Sequence, residues 1–344
     1  MTNDRWKEFL IAADALFDPD DTVRFDTVDV EARSAAGGTI VAPLTHLSLI
    51  RVTGPDAESF LQSQLSNDIA QMDAEHTRLA AYCDPKGRML ALFRIFQRDG
   101  DFFLQVPAAL VPDTLVRLRQ FVMRAKVTLA DVDTELVQLG LSGPNAADRL
   151  ETAIGVTQMA TETVATKADT TVLRLPEVAP RFVLIAPMAT AESLWRTLGR
   201  NTTRAGTHAW NWLEIAAGIP TILPATRGEF VPQMANLDLI GGISFTKGCY
   251  PGQEIVARLH YLGRLKQRMV LAHIDTGPCP HPGDPIYTPD LPGQTTGQIV
   301  NAAPAPDDGF DLLAVVPITS TNAGNLHLGT ADGPHLTLRP LPYA

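Results

Sequence analysis

Gly241-Gly242-Ile243-Ser244-Phe245-Thr246-Lys247-Gly248-Cys249-Tyr250-Pro251-Gly252-Gln253-Glu254 is the stretch from which the rest of the chain is read. Tyr250-Pro251-Gly252-Gln253 carries Pro at the second and Gly at the third position, the pattern of a type II turn, because Gly supplies the positive φ needed there. A helix is expected to follow. Glu254 falls in its first turn, where negative charge suits the helix dipole, and Arg258 lies four residues on, spaced to pair with it. Ile255, Val256 and Leu259 give that helix an apolar face, and Gly263 is a natural terminator.

Cys249 therefore sits between Gly248 and Pro251-Gly252, just before a helix start and two residues from Lys247. A nearby ammonium and a helix N-terminus both favour thiolate over thiol, and glycines let a ligand approach the backbone. Two readings stand side by side: a reactive or ligand-contacting thiol, or a small buried hydrophobe. The spacing from Gly242 to Lys247 and Gly248 imitates a phosphate loop, but no Gly-Lys-Ser/Thr ending is present, so it is not one. Downstream, Arg258, His260, Arg264, Lys266 and Arg268 form a basic cluster. It reads either as a solvated helix end or as a seat for a polyanionic tail.

The wider chain has 344 residues, about two domains' worth, with 45% hydrophobic and 19% charged residues. Its formal net charge of −10 argues against a nucleic-acid partner, since that affinity comes from Lys and Arg neutralising phosphates. No membrane span is expected, because apolar runs such as residues 182–189 fall far short of roughly 18 residues. The N-terminus mixes charges of both signs ahead of an amphipathic stretch, unlike a signal peptide. Three scattered cysteines, Cys83, Cys249 and Cys279, include no CxxC and give no disulfide framework or metal set, so the reducing cytoplasm is the expected location. Eight histidines show no HExxH spacing, and no Gly-x-Ser-x-Gly elbow supports a hydrolase.

Residues 53–61 (Thr-Gly-Pro-Asp-Ala-Glu-Ser-Phe-Leu) echo residues 142–150 (Ser-Gly-Pro-Asn-Ala-Ala-Asp-Arg-Leu), each after an apolar, strand-like run. Two related strand–turn–helix units, hence two α/β subdomains, would produce this; so would a common helix-start signal used twice. Residues 102–106 read as a strand and 110–123 as a helix. The Thr/Ala-rich stretch after Thr161 reads as loop, 171–175 and 181–185 as hairpin strands, and 191–198 as a short helix. Composition changes near Arg264: twelve of the 26 prolines lie from Pro278 onward, a density that breaks helices and keeps strands short. The runs 269–274, 297–300, 312–316 and 336–338, separated by turns such as Asp307-Asp308-Gly309, predict a C-terminal all-β module, a small barrel.

With these residues in view, Ala217-Gly218-Ile219-Pro220, the segment Phe230 to Asp238, and the opening stretch through Glu254 resemble the YgfZ family of folate-binding proteins. Lys247-Gly248-Cys249-Tyr250-x-Gly252-Gln253-Glu254 matches that family's signature. Gly54 to Asp68, ending Ser66-Asn67-Asp68, and Asp84-Pro85-Lys86-Gly87-Arg88 resemble its N-terminal half, and the proline-rich tail its C-terminal barrel. The family is related to the T-protein of the glycine cleavage system, a tetrahydrofolate-dependent aminomethyltransferase. The resemblance implies an α+β fold: two mixed α/β subdomains around a central cavity within residues 1–264, possibly interleaved in sequence, and a β-barrel over residues 265–344. It implies tetrahydrofolate, or a polyglutamylated derivative, as ligand, and iron–sulfur proteins or their assembly factors as partners, with neither nucleic acid nor membrane. Cys249 and Lys247 are the implied functional pair. Asn67, Lys86, Met234, Asn236, Asp238, Tyr250, Gln253, Glu254 and Arg258 are the implied ligand-site residues.

Two departures from the T-protein pattern matter. Where that enzyme carries a catalytic aspartate pair, this chain has Leu90-Ala91, and an alkyl group cannot steer a proton or stabilise charge on a folate nitrogen. Where T-proteins hold the pterin with a glutamate, this chain has Ala216; Glu214 is two residues earlier, about 200° away around a helix, while Asn236, Asp238 or a backbone carbonyl are alternative acceptors. The expected function is a folate-linked accessory factor for assembly or repair of 4Fe–4S enzymes. A folate-dependent one-carbon transferase is the alternative, and a non-catalytic scaffold with a vestigial folate site a second one.

Overall fold

The repeated Gly-Pro signal produces the same local structure twice. In the computed structural model, which describes residues 4–176, 179–288, 295–323 and 325–343, strand Leu47–Thr53 runs into helix Ala57–Gln64, and strand Leu136–Ser142 into helix Ala146–Ile154. Each turn pivots on a glycine with positive φ, +112° at Gly54 and +126° at Gly143. A Cβ on either would lie 2.1 Å from a backbone oxygen, Lys126 O and Gly38 O respectively, so no other residue fits.

By packing, the chain forms two compact units. Met1–Leu61, Ile69–Arg78 and Phe93–Leu213 make the first; Gln62–Asp68, Leu79–Leu92 and Glu214–Ala344 make the second. In the first unit, a six-stranded mixed sheet runs in the order Val164–Lys167, Thr170–Arg174, Arg181–Pro187, Leu136–Ser142, Ile40–Pro43, Thr203–Arg204. All its neighbours are antiparallel except the last pair. A second sheet pairs Leu47–Thr53 with Asp101–Pro107 on one side and Thr128–Asp131 on the other. Ile40, Leu49, Phe103, Val183, Ile185 and Trp210 share one buried cluster. Trp6, Leu10, Leu139, Leu150, Phe182 and Trp195 form another, to which the helices Asp4–Ala12, Ala146–Ile154 and Met188–Leu198 contribute. The expected helix at 110–123 is Val111–Gln120. The stretch after Thr161 holds a strand, Val164–Lys167, where a loop was expected. Its hydrogen-bonded hairpin partner Thr170–Arg174 supplies a ladder that composition alone does not reveal.

The second unit contains the all-β module as a curled six-stranded antiparallel half-barrel. Its order is His327–Leu328, Pro285–Tyr287, Gly297–Pro304, Phe310–Pro317, Gln267–Ile274, Thr337–Arg339. Pro285, Pro304 and Pro317 stand at strand ends, where a missing N–H costs no ladder bond. Ala272, Ile286, Ile299, Leu312, Ala314 and Leu328 fill the interior. The chain just before the last strand bonds back to the opposite edge: Leu328 N donates to Pro334 O (2.9 Å) and Leu336 N to Leu326 O (2.8 Å). Those edge groups are thereby covered. The same unit holds the irregular segment from Ala217 to Gly252 and the helix Gln253–Tyr261. No helix among the described residues is long and apolar enough to cross a membrane.

Candidate functional site

The site is built where the signature loop is laced to residues 62–68, both within the second unit. Asn67 is buried, and its Nδ2 donates to Leu79 O (2.7 Å) and Gly241 O (2.6 Å). Ser66 Oγ donates to Gly242 O (2.7 Å) and accepts from Ala81 N, while Ser244 N donates to Ser66 O. Lys247 completes the seam. Its buried ammonium donates to three carbonyls, Gln62 O (2.6 Å), Leu65 O (2.6 Å) and Asn67 O (2.8 Å), where the helix Ala57–Gln64 ends. These are the carbonyls a helix terminus leaves unpaired, and a cation suits that end of the dipole. Burial pulls the Lys247 pKa down to about 8, with the Asp68 carboxylate acting the other way. The three acceptors take all three N–H bonds of the ammonium, and a neutral amine has only two to give.

The turn after Lys247 is fixed from the other side. Gly252 has φ +82° and packs against the turn Asp84–Arg88; a Cβ there would lie 2.5 Å from both Asp84 O and Gly87 Cα. That second turn is organised by Asp84 Oδ1, which accepts from Lys86 N (2.8 Å) and Arg88 N (2.9 Å). Lys86 itself is exposed at the turn. Arg88 reaches across to Glu229 O. Tyr250 is buried under the Lys247 ammonium, 5.3 Å from ring centre to Nζ, and burial, helped by the neighbouring Cys83, raises its hydroxyl pKa.

Between these anchors Cys249 is exposed, and a side chain on neighbouring Gly248 would meet nothing within 4 Å. The other thiol in this part of the unit, Cys83, is buried, and burial pushes its pKa strongly up. Cys249 is thus the accessible thiol on a fixed base, and Cys83 a packed one. Among the described residues no group of three or more His, Cys, Asp or Glu is arranged to hold a metal.

The remaining residues singled out in the sequence fall into three groups. Gln253, Glu254 and Arg258 lie on the helix Gln253–Tyr261, the last two exposed. Glu254 and Arg258 have the spacing of a pair but form no ion pair. Both side chains are solvated, where such a contact gains little against the entropy of holding it. Met234 lines a cavity of about 350 Å³ together with Arg88, Phe230, Gln267, Thr296 and Gln298. Asn236 and Asp238 are spent inside the unit. Asn236, buried at φ +61°, donates to Met269 O (3.0 Å) and Tyr343 Oη (3.3 Å), and its Oδ1 accepts from Arg268 (3.2 Å). Asp238 takes Arg268 in a two-point pair, 3.1 and 2.9 Å. Both side chains are already engaged by Arg268, and Ala216 supplies no side-chain acceptor, so these residues are a poor fit to the acceptor set expected for that ring.

Spacing did not reveal Arg268 and Tyr343 as locking residues. Arg268 had been grouped with the basic cluster, and Tyr343, whose hydroxyl donates to Gly218 O (2.8 Å), stands 107 residues from Asn236. No local signal links them. The position matching the T-protein aspartates is apolar in space as well as in sequence: Ala91 is fully buried in the strand Met89–Arg98.

Against this geometry, the family model described as the GCVT N-terminal domain matches residues 12–240. A protein of Klebsiella pneumoniae (strain 342) named tRNA-modifying protein YgfZ is 33% identical over 302 residues, 88% of this chain and 92% of that protein. Its namesake in Escherichia coli O157:H7 (strain EC4115 / EHEC) is 34% identical over the same shares. Among solved structures, glycine cleavage system aminomethyltransferase T from Bartonella henselae aligns with a TM-score of 0.80 at 19% identity, covering 98% of this chain and 97% of that one. That likeness is one of fold: an α+β, T-protein-like arrangement ending in the half-barrel.

Proposed function

This chain belongs to the GCVT N-terminal domain family and, within it, to the YgfZ proteins, and from that premise we propose that it is a folate-linked accessory factor for assembly or repair of 4Fe–4S enzymes in the cytoplasm. The observation that carries the reading is the exposed Cys249 thiol held on a loop whose base, Lys247, is buried and triply hydrogen-bonded. A thiolate is the ligand iron–sulfur clusters take from proteins. One thiol cannot hold a cluster alone, so in this reading Cys249 supplies a single ligand toward a cluster whose other ligands belong to the client. Lys247 is a positioning residue: it fixes the loop and does not touch the reacting atoms. The relatives are named tRNA-modifying proteins, and tRNA modification is the process we propose this chain to serve.

Tetrahydrofolate is proposed as the ligand on the strength of family and fold, and no chemical step is routed through it, because Ala216, Asn236 and Asp238 leave the expected pterin acceptors missing or committed. Aminomethyl transfer by the T-protein route lacks its carboxylate, with Leu90-Ala91 in that place.

The test replaces the native protein with Cys249→Ser at equal abundance and measures 4Fe–4S enzyme activity in cells under oxidative stress. Severalfold loss is expected, with one-carbon metabolism intact. Wild-type cluster activity in the variant cells would return Cys249 to a structural role and end this reading.

A further inference from the structure

The helix Gln253–Tyr261 leads from the laced loop into an arm of exposed residues that the thiol chemistry does not use. Across residues 255–274 the chain has four Arg or Lys and no Asp or Glu, in a protein of net charge −10. Arg258, Arg264 and Lys266 are exposed, and among the described residues none of their side chains makes a hydrogen bond or ion pair within the chain. Arg268, by contrast, is consumed by Asp238. Beside these cations stands a group of rings. Phe245 stacks on exposed His260, centroids 3.7 Å apart and planes 15° from parallel, and Tyr261 meets both edge-on at 6.3 and 4.6 Å. Tyr261 remains 63% exposed.

An aromatic group left in water next to three cations costs apolar exposure and charge repulsion, and among the described residues no hydrogen bond or ion pair of these cations offsets the charge. Both are offset by a ligand that brings phosphates for the cations and flat faces for the rings. We propose that this arm binds an unpaired RNA strand, the backbone held by Arg258, Arg264 and Lys266 and a base stacked on Tyr261. Stacking platforms among cations are how single strands are held without sequence preference. A duplex buries its base faces and would leave the rings idle. A lipid surface would call for a broad apolar face, whereas Leu262, 86% exposed, is the one large aliphatic side chain fully presented on the arm. The whole-chain charge does not forbid the contact. Screening at physiological salt limits the reach of distant charges to about 8 Å, so the local cations dominate at the arm. The inference goes beyond the cluster-repair reading and does not rest on it.

The experiment is fluorescence anisotropy of a labelled 12-residue oligouridylate titrated with the full chain, across a salt series. Binding in the range of tens of micromolar is expected at 0.1 M salt, with a log–log salt slope of about −2 for three phosphate contacts. Tyr261→Ala should weaken it about tenfold, while Tyr261→Phe, which keeps the ring, should bind like wild type. The double variant Arg264→Gln/Lys266→Gln should bring the slope to about −0.7. All three side chains are exposed, so the fold does not depend on burying them, and circular dichroism of each variant checks that it is kept. Absence of saturable binding overturns the proposal. So does equal competition by polyglutamate with no effect of Tyr261→Ala, which would make the arm a seat for acidic protein, and so does equal binding to phosphatidylserine vesicles.

Discussion

At the N-terminal end of the helix Gln253–Tyr261 the polar groups are spent inside the chain, and at its C-terminal end they are left over. Lys247, Asn67 and Ser66 find their partners within a few residues of one another, and Gly252 closes on Gly87. Along the helix, whose nine residues span about 13 Å, Arg258 faces water unpaired, and beyond its end so do Arg264 and Lys266, while Tyr261 is mostly exposed. A cation whose hydrogen bonds are all internal is part of the architecture. Cations of the same type with none are available to a ligand. The same residue type therefore carries different functional meaning at the two ends, and substitutions should separate them.

The largest effect is expected at Lys247. Lys247→Met removes three donors and leaves the carbonyls of Gln62, Leu65 and Asn67 short of partners, each a loss of about 1 kcal/mol or more, so chemical denaturation should show about 3 kcal/mol of destabilisation. The pH dependence has a definite sign. With a folded-state pKa of about 8 against an ordinary value of 10.5, the unfolded chain binds more protons between those limits. Wild type should therefore gain stability relative to Lys247→Met as pH rises from about 8 to 10.5. A flat difference would mean that the carbonyls hold the ammonium's pKa at its ordinary value.

Gly252→Ala comes next. The new Cβ meets the Asp84–Arg88 turn at 2.5 Å in a left-handed backbone conformation, and a cost of about 2 kcal/mol is expected in thermal or denaturant melts. A neutral result would show that the two turns separate freely, and the contrast with the arm would lose its basis. Asp238→Asn is milder, about 1 kcal/mol, because Arg268 keeps one neutral acceptor from the pair. Folate affinity measured by calorimetry should be unchanged in that variant; a large drop would show that Asp238 releases Arg268 to serve a ligand.

How much of this was legible in the sequence follows from the range of each interaction. The turn at Tyr250-Pro251-Gly252, the helix behind it, the repeated Gly54 and Gly143 pivots and the strand-rich tail were all readable, because each is set by residues within a few positions. The hairpin strand Val164–Lys167 was not, since its composition is that of a loop and its partner ladder decides the outcome. At the site, Lys247 and Cys249 were identifiable by motif, but the role of Lys247 was not. Proximity in sequence suggested an ammonium acting on the thiol, whereas its acceptors lie 180 to 185 residues away. Asn236 and Asp238 were marked as ligand residues because the family resemblance implied a cavity there and both carry acceptors. Their partners, Arg268 and Tyr343, belong to elements that only the folded chain brings near.

The smallest expected effects sit at the exposed positions, and they test the comparison most directly. Cys249→Ser and Tyr261→Ala each change a side chain that the fold does not enclose, so the first should alter stability by less than about 0.5 kcal/mol and the second, which gives up its ring contacts with Phe245 and His260, by about 1 kcal/mol or less. Their functional consequences should part: the first reaches cluster enzymes, the second RNA. Differential scanning fluorimetry on both variants beside Lys247→Met gives the ordering in one measurement. If Cys249→Ser proved as damaging to the fold as Lys247→Met, the thiol would have to be packed in solution and the loop a structural seam throughout. If only Lys247→Met melts early, the buried cation holds the loop so that the thiol is free to act.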